Sequence, residues 1–319
     1  MAQLIARRIG GFLAALVLAS LVIFTAVEVL PGDAAQMILG TEARPDTLAA
    51  LRQEMGLDQS VIHRYVDWVS GFIRGDLGES RTYSLPVSTL VAERLMVSLP
   101  LAVAALALAV GVGLSLGIFA ALRRNSFIDH ALMSLTQIGI AVPNFWFAMV
   151  LVLIFAVKLR MFPAGGFPGW TQGGFVALSA LVLPTVALAL PQASILARIV
   201  RASLIETLHE DYMRTARAKG LSRGQAIRRH ALRNAMIPVL TIMGLQLAFL
   251  LAGAIIIENV FALPGLGRLI FQAIQQRDRV VVMSIVLLLV ATIMLITLAL
   301  ELVYLAVDPR LRKIGRAHV

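Results

Sequence analysis

Asp211–Val239 reads DYMRTARAKGLSRGQAIRRHALRNAMIPV. This stretch lies between two long apolar runs and carries Arg214, Arg217, Lys219, Arg223, Arg228, Arg229 and Arg233. So many cations cannot sit in hydrocarbon, so the stretch is a loop in water between two membrane spans. Just upstream and within it, Leu204, Leu208, Tyr212 and Ala216 fall on one helical stripe, with Ile205 and Met213 beside it. Arg201, Arg214 and Arg217 fall on other faces, so the spacing predicts a short amphipathic helix. Gly220 ends it, as glycine commonly does just after a helix. A second basic helix, Arg223 to Arg233, is then expected to lead to Pro238 at the mouth of the next span. Two readings of this loop stand side by side: a patch for anionic lipid head groups, or a rigid lever seated in a partner's groove.

The rest of the chain explains why the loop must be a loop. Of 319 residues, 59% are hydrophobic and 14% charged, with mean hydropathy +0.86. Soluble domains carry about 25% charged residues, so the chain is a polytopic membrane protein. Runs long enough to cross a bilayer are expected at Ile9–Leu30, Ser98–Leu122, Leu132–Val157, Val176–Val200, Met236–Ile257 and Val280–Val307. The first follows Arg7 and Arg8 but is long for a secretory signal and lacks a clear small-x-small cleavage site, so it reads as an uncleaved span. The net charge of +10 fits positive charge held on the cytosolic side better than nucleic-acid binding. With both termini inside, the cytosolic segments, counted with Arg198 at the inner end of the fourth span, hold 17 of the 28 Lys and Arg residues and the outer segments 11. Six of those 11 lie in the long first outer loop beside nine acidic residues, and long loops count little for orientation. Both termini are therefore expected in the cytosol.

That outer loop, Pro31 to Val97, is expected to be structured. Leu48, Leu51 and Met55 make a short helix, and Val61, Ile62, Tyr65, Trp68, Val69 and Phe72 form one apolar face of another. Gly75-Asp76-Leu77-Gly78 reads as a turn, and Pro86 to Met96 as an interfacial helix leading into the second span. The loop is either a set of helices resting on the membrane surface or a platform that meets a delivery protein. Pro143, Pro184 and Pro191 lie within spans, where each removes a backbone donor and can kink its helix.

Catalytic chemistry is missing from the sequence. The five histidines, His63, His130, His209, His230 and His318, show no metal-ligand spacing, and there is no HExxH, GxSxG or GxxxxGK[ST]. With no cysteine, disulfides and thiolate metal sites are excluded. Leu221-Ser222-Arg223-Gly224-Gln225 resembles the LSGGQ of ABC ATPases, but without a phosphate loop it is a chance match. Of the carboxylates near spans, Glu28 and Glu258 sit near outer ends and Glu301 lies deeper. A lone Glu301 reads as a structural hydrogen bond rather than a proton or cation site.

The opening segment resembles the EAA loop of bacterial ABC importer permeases, in the variant of the dipeptide, oligopeptide and nickel family. The matching residues are Asp211-Tyr212, Arg214 through Leu221, His230 through Ala235, and Pro238. The letters EAA are themselves absent; Arg214-Thr215-Ala216 stand six to four residues before Gly220. Met55-Gly56-Leu57-Asp58, Tyr65, Trp68 and Gly75 to Gly78 resemble the outer loop of that family's first permease subunit. Val260-Phe261, Pro264-Gly265-Leu266-Gly267 and Arg277-Asp278 resemble its fifth-to-sixth loop, and Asp308-Pro309-Arg310 its ending. Arg279-Val280 departs from the usual aromatic followed by proline.

The resemblance implies an all-α, six-span type I importer fold, multi-pass in a bacterial inner membrane. It divides the chain into an N-terminal span and periplasmic loop (1–93), a transmembrane domain (94–307) and a tail (308–319). Residues 314–319 read as translated sequencing adapter rather than a native ending. It further implies a subunit that moves a small solute, small peptides first, with nickel chelates, glutathione or sugars behind. Its implied partners are a second homologous permease subunit, two ABC ATPase subunits and a periplasmic or lipid-anchored solute-binding protein. ATP and Mg would bind on the ATPases and no cofactor on this chain. Coupling to the ATPase is implied for Glu206, Asp211, Tyr212, Arg214, Thr215, Ala216, Arg217, Ala218, Lys219, Gly220 and Leu221. The alternatives are a secondary, ion-coupled transporter working without ATPases, or a membrane scaffold.

Overall fold

A computed structural model of the chain describes residues 2–29, 44–54 and 58–307. The Met55-Gly56-Leu57 part of the outer motif, the Asp308-Pro309-Arg310 ending and residues 314–319 lie outside them. Glu301 continues the last helix, but its side chain is also outside the described set. The described residues are mostly helical, as a bilayer demands when no water is present to satisfy backbone groups. In order the helices are α1 Ala2–Glu28, α2 Pro45–Glu54, α3 Val61–Arg74, α4 Val87–Leu122, α5 Phe127–Ala141 and α6 Asn144–Leu151. They continue with α7 Gly174–His209, α8 Asp211–Ala218, α9 Arg223–Ala226, α10 Leu232–Val260, α11 Leu266–Gln275 and α12 Arg279–Val307. A two-residue ladder pairs β1 Glu79–Ser80 with β2 Leu85–Pro86, antiparallel.

Five of these helices are long and apolar enough to cross a membrane: α1, α4, α7, α10 and α12. The sixth expected span is a bent pair. α5 and α6 meet at 101°, because the chain reaches Pro143. Val142, which precedes it, is extended at φ −77° and ψ 126°, as a residue before proline prefers. Pro143 then opens α6 without needing an N–H. Pro184 and Pro191 behave differently and lie inside the unbroken α7. Pro100 and Pro238 likewise lie inside α4 and α10. Nor is there a separate interfacial helix before the second span, because α4 runs unbroken from Val87.

The chain packs as two compact units, residues 1–94 with 269–319, and residues 95–268. The second unit is built around α7, half of whose most apolar window is buried, against 11% for α1. Two lipid-soluble helices gain nothing from the hydrophobic effect when they touch, so close approach through small residues must hold them. Gly113 and Gly117 of α4 supply it: a Cβ on Gly117 would lie 2.6 Å from the Ala197 carbonyl oxygen, and one on Gly113 2.9 Å from that of Ala193. Leu101, Ala105, Leu188, Leu250 and Ile257 fill the core between α4, α7 and α10.

In the first unit, α1 and α12 carry α3 and the small ladder. Ser80 Oγ donates to Asp278 at 2.6 Å and the Thr82 N–H reaches the same carboxylate at 3.2 Å. The expected turn at Gly75 is present, with Gly75 at φ +83° closing α3.

Candidate functional site

The segment between α7 and α10 begins with a break. Glu210 is extended at ψ 145°, so α7 stops at His209 and α8 starts afresh at Asp211. The break resets the helical phase. The expected stripe of Leu204, Leu208, Tyr212 and Ala216 is therefore not continuous. Met213 and Ala216 turn inward, and Tyr212, which the spacing places on the apolar face, turns outward at 38% exposure. Met213 and Ala216 pack with Ala121 of α4, Leu204 of α7 and Ala226, Ala231 and Ala235 of the following helices. Five of these seven residues are alanines, so the backbones of α8 and its supports approach closely.

Two local motifs then set the turn. The Leu221 N–H donates to the Ala216 carbonyl at 3.3 Å and the Gly220 N–H to the Arg217 carbonyl at 3.0 Å. This is a Schellman ending, with Gly220 at φ +91° and Leu221 packed into the cluster that holds Ala216. A helix starts again at once through a capping box. Gln225 N–H donates to Ser222 Oγ at 3.3 Å, and Ser222 N–H donates to Gln225 Oε1 at 3.0 Å. The LSRGQ string is thus a helix start. The second basic helix is not separate either: Arg223–Ala226 passes through a wide turn, Ile227–Ala231, straight into α10. Ser203 Oγ donates to the Ala235 carbonyl at 3.0 Å and ties α7 to that helix.

Of the eleven residues that the resemblance assigns to coupling, Glu206, Asp211, Tyr212, Arg214, Thr215, Arg217, Ala218, Lys219 and Gly220 are exposed on this segment. Ala216 is buried and Leu221 half-buried. The first nine form a surface, and the last two anchor it. Arg214 and Asp211 approach at 3.4 Å, both almost fully exposed, so their pairing adds little. Thr215 Oγ1 donates to the Asp211 carbonyl at 3.1 Å. Beside this surface lies an open cavity of about 390 Å³ lined by Arg124, Ile205, Glu206, His209, Glu210 and Asp211. Within it Arg124 reaches His209 Nε2 at 2.9 Å, and His209 Nδ1 lies 2.6 Å from the Ile205 carbonyl. The arginine must donate, so Nε2 accepts and Nδ1 carries the proton. Among the described residues no group of three or more acidic or histidine side chains could hold a metal.

Two polar devices escape a reading of the sequence. Arg201 forks onto Asp129, with Nε to Oδ1 at 2.6 Å and Nη2 to Oδ2 at 2.7 Å, while the Asn125 N–H also donates to Oδ2 at 2.9 Å. Asp129 is buried, so this bidentate pair fixes the start of α5 to α7. The available signal was a carboxylate in the first turn of an apolar helix, which needs a partner. The second device is Glu258. It is fully buried and accepts from Ser98 Oγ at 2.5 Å, the Gly267 N–H at 2.7 Å and the Arg268 N–H at 3.2 Å. It therefore caps the first turn of α11 with negative charge. The glycines of Pro264-Gly265-Leu266-Gly267 make room for this. A Cβ on Gly265 would collide with the Glu258 carboxylate, and one on Gly267 with the Ile255 backbone.

Known proteins resemble this chain along most of its length. The family model described as "Binding-protein-dependent transport system inner membrane component" matches residues 113–313. Its N-terminal companion, "Binding-prot-dependent transport system membrane comp, N-term", matches residues 1–104. A Brucella abortus protein named for a peptide transport system permease is 39% identical over 312 residues, covering 98% of this chain and 99% of its own. The glutathione transport system permease protein GsiC of Escherichia coli K12 is 38% identical over 312 residues, with the same coverage. Among solved structures, a chain of the MetNI methionine ABC transporter in an inward-facing conformation matches with TM-score 0.56 at 20% identity. That match covers 69% of this chain and 96% of the other, and it bears on the fold, the type I importer transmembrane fold. The chain belongs to the binding-protein-dependent transport system inner membrane component family, and it is a multi-pass inner-membrane permease subunit of an ATP-binding-cassette importer.

Proposed function

We propose that this subunit carries small peptides inward and that residues Glu206 to Leu221 receive the motion of a separate ATPase. The observation that carries the coupling role is the construction of α8. Met213, Ala216 and Leu221 anchor it among the ends of α4, α7 and α10, while Arg214, Arg217 and Lys219 point outward. A push on α8 therefore bears directly on three spans, and α10 continues without a stop from the capping box to Val260. Exposed cations beside the acidic-rimmed cavity give a partner's groove both charge signs to match. Both termini lie on the cytosolic side with this segment, which follows from its charge.

The chain has no phosphate loop, so hydrolysis of ATP with Mg belongs to two partner subunits. A homologous permease subunit completes the pathway, and a solute-binding protein supplies substrate. Peptides are the preferred cargo because a 39%-identical relative is named for peptide transport. Glutathione, itself a tripeptide, is the cargo named for GsiC. Residues 94–307 form the transporting domain.

Uptake of labelled di- and tripeptides by cells with and without the neighbouring ATPase subunits tests this reading. Loss of uptake with the ATPases supports it. Uptake that persists without them would establish an ion-coupled carrier instead.

A further inference from the structure

Helix α3 has two apolar flanks, and among the described residues only one is covered. Tyr65, Trp68 and Phe72 lie on the flank that packs within the first unit. Tyr65 OH meets Ser20 Oγ at 2.8 Å, and the rings of Tyr65 and Trp68 lie 5.4 and 6.1 Å from Phe24. Ile62, Val66, Val69 and Ile73 follow at spacings of four, three and four, which places them on one adjoining stripe. Ile62 is 76%, Val66 53% and Ile73 79% exposed, and Val69 between them is half-buried. The remaining arc is polar and holds His63, Asp67, Ser70 and Arg74, with His63 and Asp67 3.3 Å apart.

The packed flank also gives the depth of the helix. Glu28 and Arg279 mark the ends of α1 and α12, and Arg64 of α3 reaches Glu28 at 2.5 Å, with Arg279 3.9 Å from the same carboxylate. From this charged rim the contacts descend. Ser20 lies eight residues before Glu28, about 12 Å along the helix axis, and Ser284 five residues after Arg279, about 7.5 Å. Ser284 Oγ donates to the Leu77 carbonyl at 2.8 Å, just beyond the end of α3. A helix lying in a membrane interface sinks its apolar face about 5–10 Å past the head groups, a range that overlaps the roughly 7.5–12 Å over which these contacts run. On α1, against which α3 packs through Tyr65 and Trp68, Leu18, Leu21 and Val22 also stand exposed.

We infer that α3 is an interfacial helix, whose Ile62–Val66–Val69–Ile73 stripe lies in the acyl region of the leaflet at the Glu28 end of α1. Its polar arc then faces water, and His63 and Arg74 stand where lipid phosphates lie. The helix fastens the first span to the bilayer surface rather than offering its apolar stripe to a soluble protein.

The native chain has no cysteine, so single-cysteine variants report one position each. Ile62→Cys, Val66→Cys and Ile73→Cys, with Asp67→Cys and Ser70→Cys as polar references, are spin-labelled in the full chain. They are reconstituted in vesicles of phosphatidylethanolamine and phosphatidylglycerol. The stripe positions should collide with oxygen severalfold more than with a water-soluble nickel complex, and the reference positions the reverse. Nickel access at the stripe equal to that at Asp67 would place the helix in water and overturn the inference. Protection from both agents would mean a protein covers the stripe, which overturns it as well. Where a variant does not fold, lipid carrying a shallow photoreactive group is applied to the unmodified chain. Labelling of Ile62, Val66 or Ile73 is expected, and labelling confined to His63 and Asp67 would refute the placement.

Discussion

Gly220 offers the most quantitative handle on the coupling segment. Its φ is +91°, and a Cβ built there meets no atom within 4 Å. Any loss on substitution therefore measures backbone strain and not a clash. A side chain in the left-handed region costs about 1–2 kcal/mol, with asparagine penalised least, and β-branched residues suffer most at positive φ. The turn is held by the two hydrogen bonds of its Schellman ending, each worth about 1 kcal/mol net. The strain of alanine is thus comparable to what holds the turn, and that of valine exceeds it. Since 1.4 kcal/mol is tenfold in an equilibrium constant, Gly220→Ala should lower the ratio of correctly turned to other conformers about tenfold. Gly220→Asn should fall short of that, and Gly220→Val should abolish coupling. The assay is substrate-stimulated ATP hydrolysis and uptake by the assembled importer in proteoliposomes, at matched membrane levels. Normal transport by Gly220→Val would refute the reasoning, as would an asparagine variant as defective as the valine one.

Three further outcomes follow from named contacts. Asp129→Asn strips Arg201 of its bidentate partner and should destabilise the detergent-solubilised protein by about 3 kcal/mol. In thermal melts, the double variant with Arg201→Gln should recover part of that loss. Glu258→Ala orphans the buried Ser98 hydroxyl and the Gly267 N–H, at about 1–3 kcal/mol each, and Gly265→Ala should be as damaging in the same melts because its Cβ would displace the carboxylate. Ser222→Ala removes the cap of α9 and should cost about 1 kcal/mol, seen as faster amide exchange confined to the residues after Leu221.

The fold was largely legible in the sequence, because bilayer-length apolar runs have few alternatives. What the runs left open depended on context. Pro143 and Pro191 are the same residue type in similar apolar surroundings, yet one breaks its span by 101° and the other sits inside α7. The Gly220 stop was readable from local rules, since a Schellman ending needs nothing from the rest of the chain. The break at Glu210 was not, because glutamate is a good helix former and it is the burial of Met213 and Ala216 that fixes the new phase of α8. That is why Tyr212, on the expected apolar stripe, faces outward. Gly265 and Gly267 could be noticed as a motif, but their reason lies in Glu258 and Ile255, brought close by folding. Asp129 and Arg201 lie 72 residues apart, and periodicity gives no hint of their pairing.

The central claim is that Asp211–Gly220 is the surface on which the ATPase acts. Single cysteines at Arg214, Arg217 and Lys219, all exposed, test it by bifunctional cross-linking in the assembled importer. The account predicts cross-links to the ATPase subunits at these positions, with yields that change on adding ATP and with transport blocked once they form. It predicts none from Ala216→Cys, which is buried in the supporting cluster. Full transport after modification of all three exposed positions, with no ATPase captured, would contradict it.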